Sequence, residues 1–444
     1  MPEQGTTTSR TSVELFAGGG GLAMAVERSG FRSLLLNEYV KHACDTLEAN
    51  GAIPRGEEEF IPEPGDKTPL VRGDVRDLKM GYLQGQVDLL AGGPPCQPFS
   101  LGGVAKGDED KRNMFPEMFR AVREIQPKVV ICENVRGLLR PSFKPYFNYI
   151  LRELEFPFEE RDPRSRWFEH DAILRGLNAD KVDPHERYVV RKYEVNAADY
   201  GVPQVRNRVI IIAFRADLDI DEGLLKRSVR ATHSERALLA AQQPGGGYWE
   251  RHDTVPEAVR EQLAALSATR RRARSDQQVD AFDTDGAEPL PWLTLRDALA
   301  GYGSDEAPLP EVNWRRLNRK QYADMPPAHI GWPDARIYAG HTPNVLDRPA
   351  KTVKAGVHGV PGGESVMLTD TPVQGRVPEG GYAFRHRYMT VRETARVMTF
   401  PDTWHLCGPR GEQMRQLGNA VPVRLGEVFA KAAMSVLDDV ERRA

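Results

Sequence analysis

The sequence predicts a doubly wound α/β domain over residues 11–215, followed by a smaller irregular domain, and three observations carry that prediction. Short apolar runs alternate with segments of amphipathic helical spacing, glycine-rich turns follow the runs, and the alternation stops after Arg215. The runs are SVELFA (12–17), SLLLNE (33–38), VDLLAGG (87–93), KVVICENV (128–135) and RVIIIAF (208–214). Each is apolar almost throughout rather than at every second residue, which is the pattern of a parallel strand covered on both faces. Between them, LAMAVERSG (22–30), HACDTLEANG (42–51) and MFPEMFRAVREI (114–125) have the 3.6-residue spacing of helices packed on one face.

The remainder reads differently. Residues 216–345 are rich in Arg, Pro, Gly and Ala, without strand–helix alternation. AVREQLAALSATRRRARS (258–275) has helical character, and GAEPLP (286–291) reads as a linker. The chain closes on RLGEVFAKAAMSVLDDVERR (424–443), an amphipathic helix. No fixed-period repeat is present.

Composition bounds the class. With 444 residues, 40% hydrophobic and 28% charged, the chain has an ordinary globular composition. No apolar run approaches the roughly 20 residues that span a bilayer, and the first residues, MPEQGTTTSRTS, are polar. A cytoplasmic protein without membrane contact is expected. The four cysteines, Cys44, Cys96, Cys132 and Cys407, form no CxxC pair or zinc spacing, so reduced thiols and no metal are expected. Net charge is −3, so nucleic-acid binding would need a local basic face. Two runs could supply one: Arg270, Arg271, Arg272 and Arg274, then Arg315, Arg316, Arg319 and Lys320. Either run also suits a solvated surface.

The chemistry-bearing residues fall at the predicted strand ends. Phe16-Ala17-Gly18-Gly19-Gly20-Gly21 follows the first run and opens a helix, and Glu38 ends the next run at about the spacing of a ribose-binding acid. That pair points to a nucleoside ligand and suits NAD as well as S-adenosylmethionine. Asp74, after Gly73, could accept from an adenine amino group or simply make a turn. The run 87–93 leads into Pro94-Pro95-Cys96-Gln97-Pro98-Phe99-Ser100, which presents a thiol at the carboxyl end of a strand behind two φ-restricting prolines. The following stretch to Asn113 has the glycines and charges of a closing lid. Glu133 closes another run at the same edge and should lie near Cys96, with Cys132 in the core. Gln204-Val205-Arg206-Asn207-Arg208 precedes the last run. Its arginines could hold an anion or a base edge, or pair with surface acids.

Phe16-x-Gly18-x-Gly20, Pro94-Pro95-Cys96-Gln97, Glu133-Asn134-Val135, Gln204-x-Arg206-x-Arg208 and Gly418-Asn419-Ala420-Val421, in this order, resemble the cytosine-C5 DNA methyltransferase family, in its prokaryotic restriction-modification type. The resemblance covers about residues 11–215 and 345–440, and Arg348-Pro349-Ala350-Lys351-Thr352 extends it. It implies a Rossmann-like S-adenosylmethionine-dependent domain made of 11–215 and 417–444. A small domain, 216–416, would hold a target-recognition region at about 216–345. It implies Cys96 as nucleophile on C6 of a flipped-out cytosine, Glu133 on N3, Arg208 at the cytosine carbonyl and Arg206 beside it. Cofactor contacts would come from Phe16, Gly18, Gly20, Glu38, Tyr39, Asp74, Val75, Pro94, Asn419 and Ala420. Double-stranded DNA would meet Gln97, Ser100, Gln204, Arg315 and Arg316. The product would be S-adenosylhomocysteine. The architecture, with no regulatory segment ahead of the catalytic part, points to a restriction-modification role with a cognate endonuclease as a possible partner, and the resemblance implies a monomer. The competing readings are tRNA methylation by the same chemistry, a non-catalytic DNA-binding relative and an NAD-dependent oxidoreductase. The long 216–345 segment favours DNA, and Cys96, Glu133, Arg206 and Arg208 together favour catalysis.

Overall fold

The structure is a computed structural model that describes residues 10–56, 59–95, 113–261, 288–337, 342–356, 365–374 and 383–444. The chain divides into two compact units. The first comprises Met1–Val195, Asn207–Val229 and Leu425–Ala444, and the second Asn196–Arg206 and Arg230–Arg424.

An eight-stranded sheet fills the first unit, in the order β3-β4-β2-β1-β5-β6-β8-β7. Its strands are β1 (Thr11–Leu15), β2 (Arg32–Glu38), β3 (Ile53–Arg55), β4 (Pro69–Arg72), β5 (Leu89–Gly92), β6 (Val129–Val135), β7 (Tyr188–Asn196) and β8 (Asn207–Arg215). From β3 through β6 every pairing is parallel. The five apolar runs correspond to β1, β2, β5, β6 and β8, and the sheet interior is buried as their composition requires. The doubly wound fold class is therefore the observed one. The sequence reading missed β3 and β4, which are three and four residues long, and β7, whose apolar pattern is broken by exposed Arg191, Lys192 and Glu194.

The three anticipated helices are α1 (Gly21–Arg28), α2 (Lys41–Ala49) and α3 (Phe115–Ile125); α4 (Lys144–Glu155), α5 (Trp167–Gly176) and α6 (Glu222–Ser228) complete the helices before the second unit. Helix α3 shows why such segments form. Pro116 sits in its first turn, where its missing N–H costs nothing. Phe115, Met118, Phe119, Ala121, Val122 and Ile125 make one buried stripe, and Gln126 ends the helix with φ of 54°. That stripe joins β1, β5, β6 and α4 in a single apolar core.

In the second unit, β9 (His233–Ser234) pairs with β10 (Leu290–Pro291), and β11 (Val366–Pro372) pairs antiparallel with β12 (Phe384–Tyr388). Its helices are α7 (Glu235–Ala241), α8 (Gly247–Arg251), α9 (Leu295–Ala300), α10 (Val391–Val397) and α11 (Arg410–Asn419), followed by α12 (Val423–Arg443), which from Leu425 onward belongs to the first unit. Much of this unit is held by buried charge. Arg387 grips Glu393 through Nη1 at 2.8 Å and Nη2 at 2.6 Å, and Glu393 also closes a capping box with Thr390. Asp297 accepts from Arg251 and meets the His252 ring at 2.7 Å. These partners and the Thr294 amide hold its carboxyl down to about 2 against the opposing cost of burial.

The unit boundaries differ from 215/216 and 416/417. Helix α6 stays with the sheet because Leu225 is buried there and Arg443 of α12 donates to the Asp219 carbonyl at 2.9 Å. Residues 196–206 join the second unit because Val205 N donates to the Ala350 carbonyl at 2.8 Å and Ala350 N to the Pro203 carbonyl at 2.9 Å. No helix among the described residues is long and apolar enough to cross a membrane.

Replacing Phe119 by Ala should cost about 3–5 kcal/mol, because the emptied volume lies in a close-packed core. Urea unfolding checks this, and a loss below about 1 kcal/mol would place α3 outside the core.

Candidate active site

The parallel strands deliver their carboxyl ends to one edge, and the strand order reverses between β1 and β5, where such sheets bind ligands. The first turn at this edge is unusual. Phe16 takes φ of 57°, rare for a bulky residue, with Gly18 at 55° and Gly20 at 86°. Ala17 N donating to the Asn37 carbonyl at 3.0 Å and Gly20 N to the Ala17 carbonyl at 2.9 Å hold that shape. Glu38, at the end of β2, binds the turn to its neighbour. One carboxylate oxygen accepts from Gly18 N at 2.7 Å, the other from Tyr39 N at 2.9 Å and Val40 N at 2.6 Å. Tyr39 then stands 74% exposed. Asp74, just past β4, caps the turn before buried Val75, and its hydrogen bond from the Arg76 side chain holds its carboxyl below the usual range.

Glu14 was missed in the sequence because it sits inside an apolar run. It is buried in β1, and its Oε2 has no hydrogen-bond partner among the described residues. Burial, with Glu38 nearby, pushes its carboxyl well above the ordinary value.

At the other side of the switch point, β5 ends at Gly92 opposite Cys132, so Gly93 comes to lie beside Glu133. A Cβ built on Gly93 would be 3.7 Å from Glu133 Oε2. The buried Pro94 carbonyl accepts from Asn134 Nδ2 at 3.1 Å, which fixes Pro94 against β6. Strand β8 runs antiparallel to β6 and registers Arg208 opposite Val135. Arg208 Nε thereby meets Glu133 Oε1 at 2.5 Å, with both side chains about nine-tenths buried. Cys132 is a core residue whose thiol burial pushes up to about 12, so it is no nucleophile. Cys96, Gln97 and Ser100 lie outside the described residues, as does the expected lid up to residue 112. Asn113, placed at the lid's end by sequence, is instead buried and donates to the Tyr146 hydroxyl at 2.5 Å.

Two assignments from the resemblance change. Arg206, expected at the cytosine, is 0% exposed and spends its guanidinium on backbone carbonyls: Val353 at 2.8 Å, Gly418 at 2.8 Å and Ala420 at 3.0 Å. Gln204, expected on DNA, is fully buried; its Oε1 accepts from Val353 N at 3.0 Å and its Nε2 lies 2.9 Å from Met398 Sδ. Both tie three separated motifs together within the second unit. Gly418 shows how close that packing is, since a Cβ there would stand 2.3 Å from Ala355 N. Asn419 is exposed at the end of α11, between the two carbonyls Arg206 holds, and Ala420 is buried.

The profile of the C-5 cytosine-specific DNA methylase family matches residues 10–156 and 185–435. The chain belongs to that family. It is a DNA (cytosine-5-)-methyltransferase. It is 30% identical over 437 residues to the Type II methyltransferase M.PspPI of Psychrobacter sp. (strain TA137), a match that covers 97% of this chain and 80% of that one. It is also 30% identical over 442 residues to the Type II methyltransferase M.Eco47II of Escherichia coli, covering 98% and 81%. The fold is similar to that of the Entamoeba histolytica methyltransferase EhMeth, with TM-score 0.51 at 14% identity over 97% of this chain and 98% of that one.

The methylase holds Arg315 and Arg316 differently, though they adjoin in sequence. Arg315 is exposed, whereas Arg316 is half-buried and donates to Asp324 at 2.7 Å. The run 270–274 lies outside the described residues. Among the described residues no cluster of three or more His, Cys, Asp or Glu could hold a metal ion.

Two measurements test this geometry. With its folded pKa raised, Glu14 binds more protons in the folded chain, so its contribution to stability falls as pH rises above the unfolded value. Glu14→Gln should therefore unfold in urea with a shallower loss between pH 5 and pH 8 than the parent; equal losses would mean that Glu14 does not titrate as its burial requires. Arg208→Met should destabilise by about 3–5 kcal/mol, since it strands the Glu133 charge. Adding Glu133→Gln should recover part of that loss, and full additivity in the cycle would show that the pair is not coupled.

Proposed function

We propose that this methylase transfers the methyl group of S-adenosylmethionine to C5 of a flipped-out cytosine in a specific duplex sequence, through a covalent bond between Cys96 and cytosine C6. The observation that carries the reading is the Glu133–Arg208 pair standing beside the strand end that leads into Pro94-Pro95-Cys96. Cytosine C6 is inaccessible inside a stacked duplex, so the base has to leave the helix to reach that edge.

The residues at the neighbouring turns fit the cofactor. The tight Phe16–Gly20 backbone suits close approach of a ligand, Glu38 and Asp74 stand at the ends of adjacent strands, and exposed Tyr39 offers a ring to an adenine. S-adenosylmethionine would supply there a sulfonium methyl that an electron-rich C5 accepts. The Cys96 thiolate adds to C6 and pushes electron density toward C5 and N3. Glu133 hydrogen-bonds or protonates N3 and offsets the charge that addition creates. Arg208 orients Glu133 and offers its remaining donors to the cytosine carbonyl. A water molecule takes the C5 proton, the electrons of that C–H bond restore the C5–C6 double bond, and the C6–S bond breaks so that Cys96 leaves as the thiolate. Arg206 acts as a positioning residue, because the carbonyls it holds flank Asn419, the cofactor contact that the resemblance implies. The Type II methyltransferase relatives support a protective role beside a restriction endonuclease of the same specificity.

A duplex carrying 5-fluorocytosine at the target should trap the protein covalently, because fluorine cannot leave as a proton does. Cys96→Ser should trap none; equal trapping by both proteins would remove Cys96 from the mechanism. Glu133→Gln should slow turnover by about 10²–10⁴-fold, the range of a lost proton donor. Expression in a host without cytosine methylation, followed by mapping of 5-methylcytosine, tests the substrate. Methylation confined to one short sequence supports the reading, and methylation found only in tRNA replaces it.

A further inference from the structure

Helix α3 carries Glu117, Arg120 and Glu124 at the spacing that stacks side chains along one helix face. The two acids hold the arginine between them. Arg120 Nε donates to Glu117 at 2.8 Å and Nη1 to Glu124 at 2.6 Å. The fork so aimed closes on backbone. Nη2 donates to the Val75 carbonyl at 2.7 Å and Nη1 to the Leu78 carbonyl at 3.0 Å, with the Arg120 side chain 25% exposed. The second carboxylate oxygen of Glu124 accepts from Met80 N at 2.9 Å. Three hydrogen bonds thus pin residues 75–80 to α3, immediately after Asp74.

Asp74 depends on that support. The chain reaches it through Gly73, whose φ of 151° suits a residue without a side chain. It leaves through a single short turn, Val75–Asp77, closed by Asp77 N on the Asp74 carbonyl and Leu78 N on the Val75 carbonyl, both at 3.1 Å. Turns of this kind are weakly held by their own hydrogen bonds. On the entry side β2 provides the anchor: Gly73 N donates to the Glu38 carbonyl at 3.0 Å, and the Gly73 carbonyl accepts from Asn37 Nδ2 at 3.2 Å. On the exit side the anchor is Arg120 with Glu124. Within the turn, Arg76 orients the carboxylate, since its N at 3.0 Å and its Nε at 2.9 Å both donate to Asp74 Oδ1. Among the described residues Asp74 Oδ2 accepts from Arg76 Nη2 alone, which leaves a lone pair for one more N–H.

We propose that Arg120 is a positioning residue for the adenine end of the cofactor. It holds the turn so that Asp74 meets the 6-amino group, and it thereby sets how strongly the methylase distinguishes a 6-aminopurine from a purine without that group. A planar fork is needed because one guanidinium reaches two carbonyls and two carboxylates at once, which a lysine ammonium cannot match. The proposal rests on the reading of Asp74 as an adenine contact and adds the helix residue on which that contact depends.

The test is calorimetric binding of two ligands to the full chain without DNA: S-adenosylhomocysteine, and its 6-deamino analogue, in which hydrogen replaces the adenine amino group. The wild type should prefer S-adenosylhomocysteine by about 10–100-fold, the range for one hydrogen bond to a charged acceptor. Asp74→Ala should bring that ratio to about 1. Arg120→Met should lower it by about fivefold or more, and Arg120→Lys takes its place if the methionine variant does not fold. The ratio reports positioning alone, because a loss of folded protein weakens both ligands by the same factor. If Asp74→Ala abolishes the preference and the Arg120 variant keeps it, Arg120 only braces the helix and the proposal is overturned. If the wild type binds the two ligands alike or binds neither, or if Asp74→Ala keeps the preference, the adenine reading of Asp74 falls, and this proposal with it.

Discussion

The antiparallel pairing of β8 with β6 is the constraint on which the candidate chemistry depends. Strands β1, β2, β4, β5 and β6 all run one way and can bring only their carboxyl ends to the functional edge. An arginine at the start of a strand reaches that edge only if its strand runs the other way, and β8 does so with Arg208 at its second residue. A shift of one residue would turn Arg208 to the opposite face and leave Glu133 buried without its partner. The long apolar run of β8 guards against this, because its buried residues fix the register through the core.

The same economy appears in the nucleotide half. Glu38 binds the glycine turn to the start of α2 with three backbone hydrogen bonds, so a position expected to contact a ligand is also structural. Glu14, one strand away, has the reverse character. A buried carboxyl with one oxygen unsatisfied is costly to ionise, and burial with Glu38 nearby holds its pKa well above the ordinary value.

The second unit is organised by different forces. Its described residues form no wide sheet and are held instead by buried guanidinium–carboxylate pairs and capped short helices, as at Arg387–Glu393 and Thr294–Asp297. Arg206 is the extreme case, a fully buried cation that donates to the carbonyls of Val353, Gly418 and Ala420. Interactions of this kind are directional, and they hold irregular backbone in fixed shapes that apolar packing alone would leave variable. The positive-φ residues near Trp332 depend on the same kind of support.

The sequence by itself determined the fold class, the order of five strands and three helices, and the residues gathered at the strand ends. Apolar runs and glycine turns are local signals, and a parallel sheet converts strand ends into neighbours without further information. It also determined the family, since Pro94-Pro95-Cys96-Gln97 and Glu133-Asn134-Val135 are contiguous motifs. The tertiary structure decided which charged residues face outward and which are spent inside. Arg206 and Arg208 are two residues apart, as strand periodicity requires of neighbours on one face, yet one lies in the second unit gripping carbonyls from Val353, Gly418 and Ala420 while the other pairs with Glu133. Arg315 and Arg316 differ in the same way, through an aspartate eight residues further on. A guanidinium's partner is set by long-range backbone geometry, and composition and spacing carry no record of it.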